Sequence, residues 1–138
     1  LKVLRKTGAG ALPGKALVVF DPRLGLAVDV IPCEEGHAQE RSLLSAVAEL
    51  IQPQDVYVMD RNFCVLEFLL DFHKKSAFFV ARQHGNTPYN RLTDLQFIGN
   101  SATGEVFEQD VEITTPSGET LAIRRVVVKL NQQQFPAS

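Results

Sequence analysis

Asp55-Val-Tyr-Val-Met-Asp60-Arg-Asn-Phe63 is the stretch whose reading decides the fold. Its apolar run lies between Pro53 and a helix-like pattern that starts near Cys64. That spacing predicts a short buried strand with one carboxylate, Asp60, at its tip. In α/β sheets ligands bind in the crevice outside the carboxyl ends of the strands, so Asp60 is the first candidate for chemistry. An aspartate at this place also suits a helix N-terminus, where it accepts from free N–H groups and faces the positive end of the helix dipole. The residues alone leave both roles open.

Upstream, Gln39 to Ile51 carries Leu43, Leu44, Val47, Leu50 and Ile51 at helical spacing, with Glu40, Arg41 and Glu49 on other faces, and Pro53 stops the pattern. This predicts an amphipathic helix packed on a sheet. Before it, Ala16-Leu-Val-Val-Phe20, a turn at Asp21-Pro22-Arg23-Leu24-Gly25 and Leu26-Ala-Val-Asp-Val-Ile31 predict a hairpin. Its second strand is expected to place Leu26, Val28 and Val30 on one face and Ala27, Asp29 and Ile31 on the other. Asp29 is then either a solvated edge residue or a partner of the site. The basic opening stretch with Lys2, Arg5 and Lys6 shows no obvious strand.

Downstream, Val65, Leu66, Phe68, Leu69 and Phe72 mark a second helix, capped by Asn62, and Ala77-Phe-Phe-Val-Ala81 marks a further strand. The order strand, strand, helix, strand, helix, strand implies a mixed sheet: an antiparallel hairpin, then right-handed crossovers that make the later strands parallel. Beyond Gly85-Asn86-Thr87-Pro88 the helical period disappears. Gly104 to Ile113 and Glu119 to Leu130 read as extended, joined by a turn at Thr114-Thr-Pro-Ser-Gly-Glu119. The apolar phase set by Leu121 and Ile123 slips by one around Arg124 and Arg125, and a bulge there would restore it.

The chain has 138 residues, of which 45% are hydrophobic, which suffices for one compact domain with a small annex. Residues 1–90 read as the core and 91–138 as a β-rich annex. The start at Leu1 and the uncapped Gln132-Gln-Gln-Phe-Pro-Ala-Ser138 read as the ends of a piece excised from a longer protein. No apolar run is long enough to span a bilayer and no signal-peptide pattern opens the chain, so the expected location is the cytoplasm, without a membrane partner. Cys33 and Cys64 lack metal-ligand spacing and read as free buried thiols. A net charge of −2 does not mark the whole chain as a nucleic-acid binder.

Other motifs are weak. His37 and Glu40 have no third ligand spaced to join them, and His73 stands apart, which argues against zinc. Gly8-Ala-Gly10 leads to Pro13 and a strand rather than a helix, so it is no phosphate loop.

Four segments together carry a resemblance. Leu12-Pro-Gly-Lys15 leads into Val18-Val-Phe-Asp-Pro22; then come His37-Ala-Gln-Glu-Arg41-Ser-Leu-Leu44, Val58-Met-Asp-Arg-Asn-Phe63 and Phe78-Phe-Val-Ala-Arg-Gln-His84. In order and distance, over residues 8 to 86, this resembles the core of bacterial insertion-sequence transposases of the DDE group, which have an RNase H-like catalytic domain and a Y-x2-R-x3-E-x6-K signature. The resemblance implies an α/β fold: an RNase H-like mixed sheet flanked by helices, incomplete and without its first strand, with a β-rich C-terminal insertion.

In that family three acids, on the first strand, at the end of the fourth and on a late helix, hold two divalent ions, Mg²⁺ or Mn²⁺, for strand cleavage and transfer. Asp60 matches the second. The first is expected upstream of Leu1 and the signature glutamate downstream of Ser138. Two such ions together activate the attacking oxygen and neutralise the leaving one, and a single carboxylate cannot hold the pair.

The same resemblance implies double-stranded DNA, both element ends and target, as partner, and a homodimer on it. Arg61, Arg82 and His84 near the strand ends, and Arg124, Arg125 and Lys129 on the insertion, become candidate DNA contacts. Arg61, Arg124, Arg125 and Lys129 are equally readable as solvated surface charges, whereas for Arg82 and His84, on one side of the strand end after Val80, the resemblance favours a DNA-facing role. Two other classes stay open: a noncatalytic DNA- or protein-binding remnant, and an unrelated α/β metal enzyme using Asp60 with Asp21 or Asp29.

Overall fold

The computed structural model describes residues 2–8, 15–33 and 40–131. Residues 12–14, His37 and residues 132–138, used in the reading above, lie outside them, as do the side chains of Cys33 and Arg41. The chain divides into two compact units, Leu1–Thr87 and Pro88–Ser138. Mixed α/β structure is present: mostly strands, with two α-helices among the described residues.

The first unit contains β1 (Lys2–Gly8), β2 (Lys15–Asp21), β3 (Leu26–Cys33), α1 (Glu40–Leu50), β4 (Val56–Met59), a single 3-10 turn (Arg61–Phe63), α2 (Leu66–Lys74) and β5 (Phe78–Ala81). Its five strands lie in the order β3-β2-β1-β4-β5. β1–β2 and β2–β3 are antiparallel, whereas β1–β4 and β4–β5 are parallel. The mixed sheet with an antiparallel start and parallel later strands is therefore present.

The opening stretch departs from expectation. Lys2–Gly8 is the central strand, hydrogen-bonded to β2 on one side and β4 on the other. A strand thus precedes the hairpin, and the sheet does not lack one there. Its charges hid it: Lys2, Arg5 and Lys6 break the apolar alternation, and pairing on both edges stabilises a strand that local pattern does not announce. Lys2 itself is neutralised in place, its ammonium 3.0 Å from the Asp55 carboxylate.

Apolar alternation sorts the sheet into two faces. Tyr57 and Met59 on β4 and Val19 on β2 are buried. Phe72 of α2 packs edge-on against Tyr57 at 5.2 Å between ring centres, against Phe68 at 5.0 Å, and tilted over Phe79 of β5 at 5.7 Å. Val47, Ala48 and Ile51 extend this core, and Lys75 after α2 donates to the Ala48 carbonyl of α1. The opposite face stays open: Phe78 and Val80 are exposed, and Val56 and Val58 beside them are half-buried.

The hairpin forms as expected, with Gly25 in the left-handed region (φ 65°) closing the turn by donating to the Asp21 carbonyl. Its facing differs. Val19 pairs with Asp29 but Phe20 with Ala27, so Val28 is an extra residue and a bulge interrupts β3. Ala27 and Asp29 therefore fall on opposite faces. Asp29 is half-buried on the side of Val19 rather than solvated.

The second unit is built on a long antiparallel pair, β8 (Gly104–Thr114) and β9 (Thr120–Leu130). On its other edge β8 meets two short strands absent from the sequence reading, β6 (Asn90–Arg91) and β7 (Gln96–Ser101). Gly118 (φ 87°) closes the β8–β9 turn, where Thr115 N–H donates to the Glu119 carbonyl. The bulge expected near Arg124 is not there: pairing runs unbroken from Gly104↔Leu130 to Thr114↔Thr120. Leu121 and Ile123 simply share the buried face with Arg125 and Val127, while Val126 and Val128 stand exposed on the other. The irregularity lies instead in β7, between Phe97 and Gly99.

Candidate functional site

Asp60 sits where β4 ends. Its backbone is still extended (φ −75°, ψ 168°), so the alternation of β4 carries it past buried Met59 to an exposed position on the side of Val56 and Val58. One carboxylate oxygen accepts from the Arg61 N–H at 2.7 Å and the main-chain carbonyl accepts from Phe63 at 3.0 Å, which makes Asp60 the cap of the 3-10 turn. The capping role is thus realised, and it leaves the second carboxylate oxygen outward. Asn62 caps nothing, because α2 begins later, after Val65, whose side chain makes no cap bond. Phe63 is buried, as its apolar neighbours suggest.

Arg61 is exposed at the same strand end. β5 runs parallel to β4 with Met59 opposite Ala81, and the Arg82 N–H donates to the Met59 carbonyl at 3.1 Å. Arg82 is therefore the lateral neighbour of Asp60 in the sheet, one strand away, and is exposed. His84 lies beyond the strand, just before the turn at Gly85 and Asn86, exposed, with its Nδ1 accepting from the Asn86 N–H at 3.2 Å. Asp60, Arg61 and Arg82 thus gather at the carboxyl end of the two parallel strands. The half-buried Cys64 thiol, 3.6 Å from the Thr87 hydroxyl, is free.

The opposite end of the sheet is given over to structure. Asp55 accepts from Lys2 and from the Gln52 N–H at 2.9 Å, and Asp21 holds its own turn by accepting from Arg23 N–H at 2.9 Å. Tyr57, 1% exposed, has its phenol pushed up to about 12 by burial, then by the Asp55 and Asp29 charges. Burial also raises the Asp71 carboxyl, against the pull of Lys74 and Lys75 and with help from Glu67.

The three aspartates considered for a joint metal site do not converge. Asp21 ends β2 at the edge where β4 begins, and Asp29 is on β3, three strands from β4, roughly 14 Å across the sheet. Among the described residues no group of three or more His, Cys, Asp and Glu could hold a metal ion. β1, the neighbour of β4, carries no carboxylate. The described residues do not by themselves make a two-ion site; they offer one carboxylate, Asp60, with one oxygen still open.

On the second unit the two adjacent arginines separate. Arg124 lies on the face of Glu108 and Asp110, and its exposed guanidinium is 3.6 Å from the half-buried Glu108 carboxylate, a surface pair of small energetic weight. Arg125 lies on the other face, donates to Gln109 Oε1 at 2.9 Å and stacks over the Tyr89 ring at 5.0 Å. Gln109, 4% exposed, passes the chain on through Nε2 to the Thr93 carbonyl at 3.2 Å. Lys129 is exposed on the Arg125 side. The sequence reading missed Gln109, Tyr89 and Thr93. The signal was there: Gln109 falls in the buried phase of Val111 and Ile113, where a polar side chain needs partners.

No protein-family model, no curated protein and no solved structure matches the chain. No helix among the described residues is long and apolar enough to cross a membrane.

Proposed function

We propose that the chain is the central segment of a DNA transposase of the DDE group, acting in metal-dependent strand cleavage and transfer at insertion-sequence ends. The observation that carries this reading is Asp60, an exposed carboxylate at the carboxyl end of the fourth strand of a mixed sheet. That is the position the resemblance assigns to the second acid, here flanked by Arg61 and Arg82. In this reading the arginines neutralise backbone phosphate beside the reacting bond, and Asp60 is one ligand of a metal site completed by acids elsewhere in the full protein. The sheet is then of the RNase H-like kind and the β8–β9 unit the insertion before the third acid. Double-stranded DNA is the partner, and bringing two element ends together implies a dimer on it.

The test uses the full-length protein that contains this segment. With Mg²⁺ and an element-end duplex, the reading expects cleavage that Asp60→Asn abolishes while duplex binding persists. Unchanged cleavage by that variant overturns it.

One observation favours the second reading, a noncatalytic DNA- or protein-binding remnant. The strand that pairs with β4 inside this sheet is Lys-Val-Leu-Arg-Lys-Thr-Gly, and it brings no second acid beside Asp60. A full-length protein that binds duplex DNA but shows no divalent-dependent cleavage decides for this alternative.

A further inference from the structure

We draw no further inference here: the strongest candidate, the open face of the five-stranded sheet where Phe78 and Val80 stand exposed beside Val56 and Val58, carries nothing because nothing in the structure shows what covers it.

Discussion

The two units solve the same packing problem differently. In the first, β4 and β5 bury one face beneath Phe72, whose ring meets Tyr57, Phe68 and Phe79, so cohesion comes from aromatic and aliphatic burial. In the second, the buried face of β8 contains Val111 and Ile113 but also Gln109, bonded to Arg125 and Thr93. An apolar core tolerates rearrangement within its volume, whereas a buried amide is stable only with both of its ends satisfied. The second unit therefore depends on particular partners more than on area.

The sharpest break of that contrast is Phe72→Ala. Removing a fully buried ring with three aromatic neighbours is expected to cost about 3–5 kcal/mol, read as lost hydrogen-exchange protection of β4 and β5. Phe78→Ala, on the exposed face of the same sheet, should stay within about 0.5 kcal/mol. Equal losses would mean that the open face is as cohesive as the covered one.

Gln109→Leu probes the polar counterpart. It roughly keeps the shape but removes the acceptor of the Arg125 guanidinium and the donor to the Thr93 carbonyl, at an expected cost of about 0.5–1.5 kcal/mol. A neutral result in chemical denaturation would show that burial alone holds the second unit.

A smaller effect follows from Tyr57. Its folded pKa, about 12, lies above the ordinary 10.0, so the protonated phenol is favoured in the folded state. The stability associated with it is whole below pH 10 and is lost as pH rises through about 12. Tyr57→Phe should flatten this alkaline loss in pH-dependent unfolding; an unchanged profile would place its origin elsewhere.

The smallest effects on stability belong to the strand-end cations. Arg61→Ala and Arg82→Ala, both exposed, should each shift unfolding by no more than about 0.5 kcal/mol. In the full-length protein each should lower the slope of duplex binding against salt by about 1. A slope that does not move removes these residues from the DNA-facing reading.

What the sequence made legible follows from where the physics is local. The run Val56 to Met59 and the helical spacing of Leu43, Leu44, Val47 and Leu50 announce β4 and α1 because burial is written into their own periodicity. β1 is not announced, since its alternation is broken by Lys2, Arg5 and Lys6 and its stability comes from two neighbouring strands. Arg124 and Arg125 looked like a slip in register because Val126 and Val128 continue an apolar pattern on a face that stays exposed. The bulge at Val28, which turned Asp29 toward the covered side, left no mark in the residue pattern. Asp60 was legible as a strand-end carboxylate; its capping bond to Arg61 was one of two roles the sequence allowed, and the structure fulfils that one while leaving the other oxygen outward.

That division of labour at Asp60 permits the most direct test. Asn keeps the oxygen that accepts from Arg61 but removes the charge, whereas Ala removes both. In the full-length protein Asp60→Asn should keep stability within about 0.5 kcal/mol, Asp60→Ala should lose about 0.5–2 kcal/mol with the cap, and both should lose Mg²⁺-dependent cleavage of an element-end duplex. Cleavage retained by Asp60→Asn, with only the Ala variant destabilised, would make Asp60 a cap and nothing more.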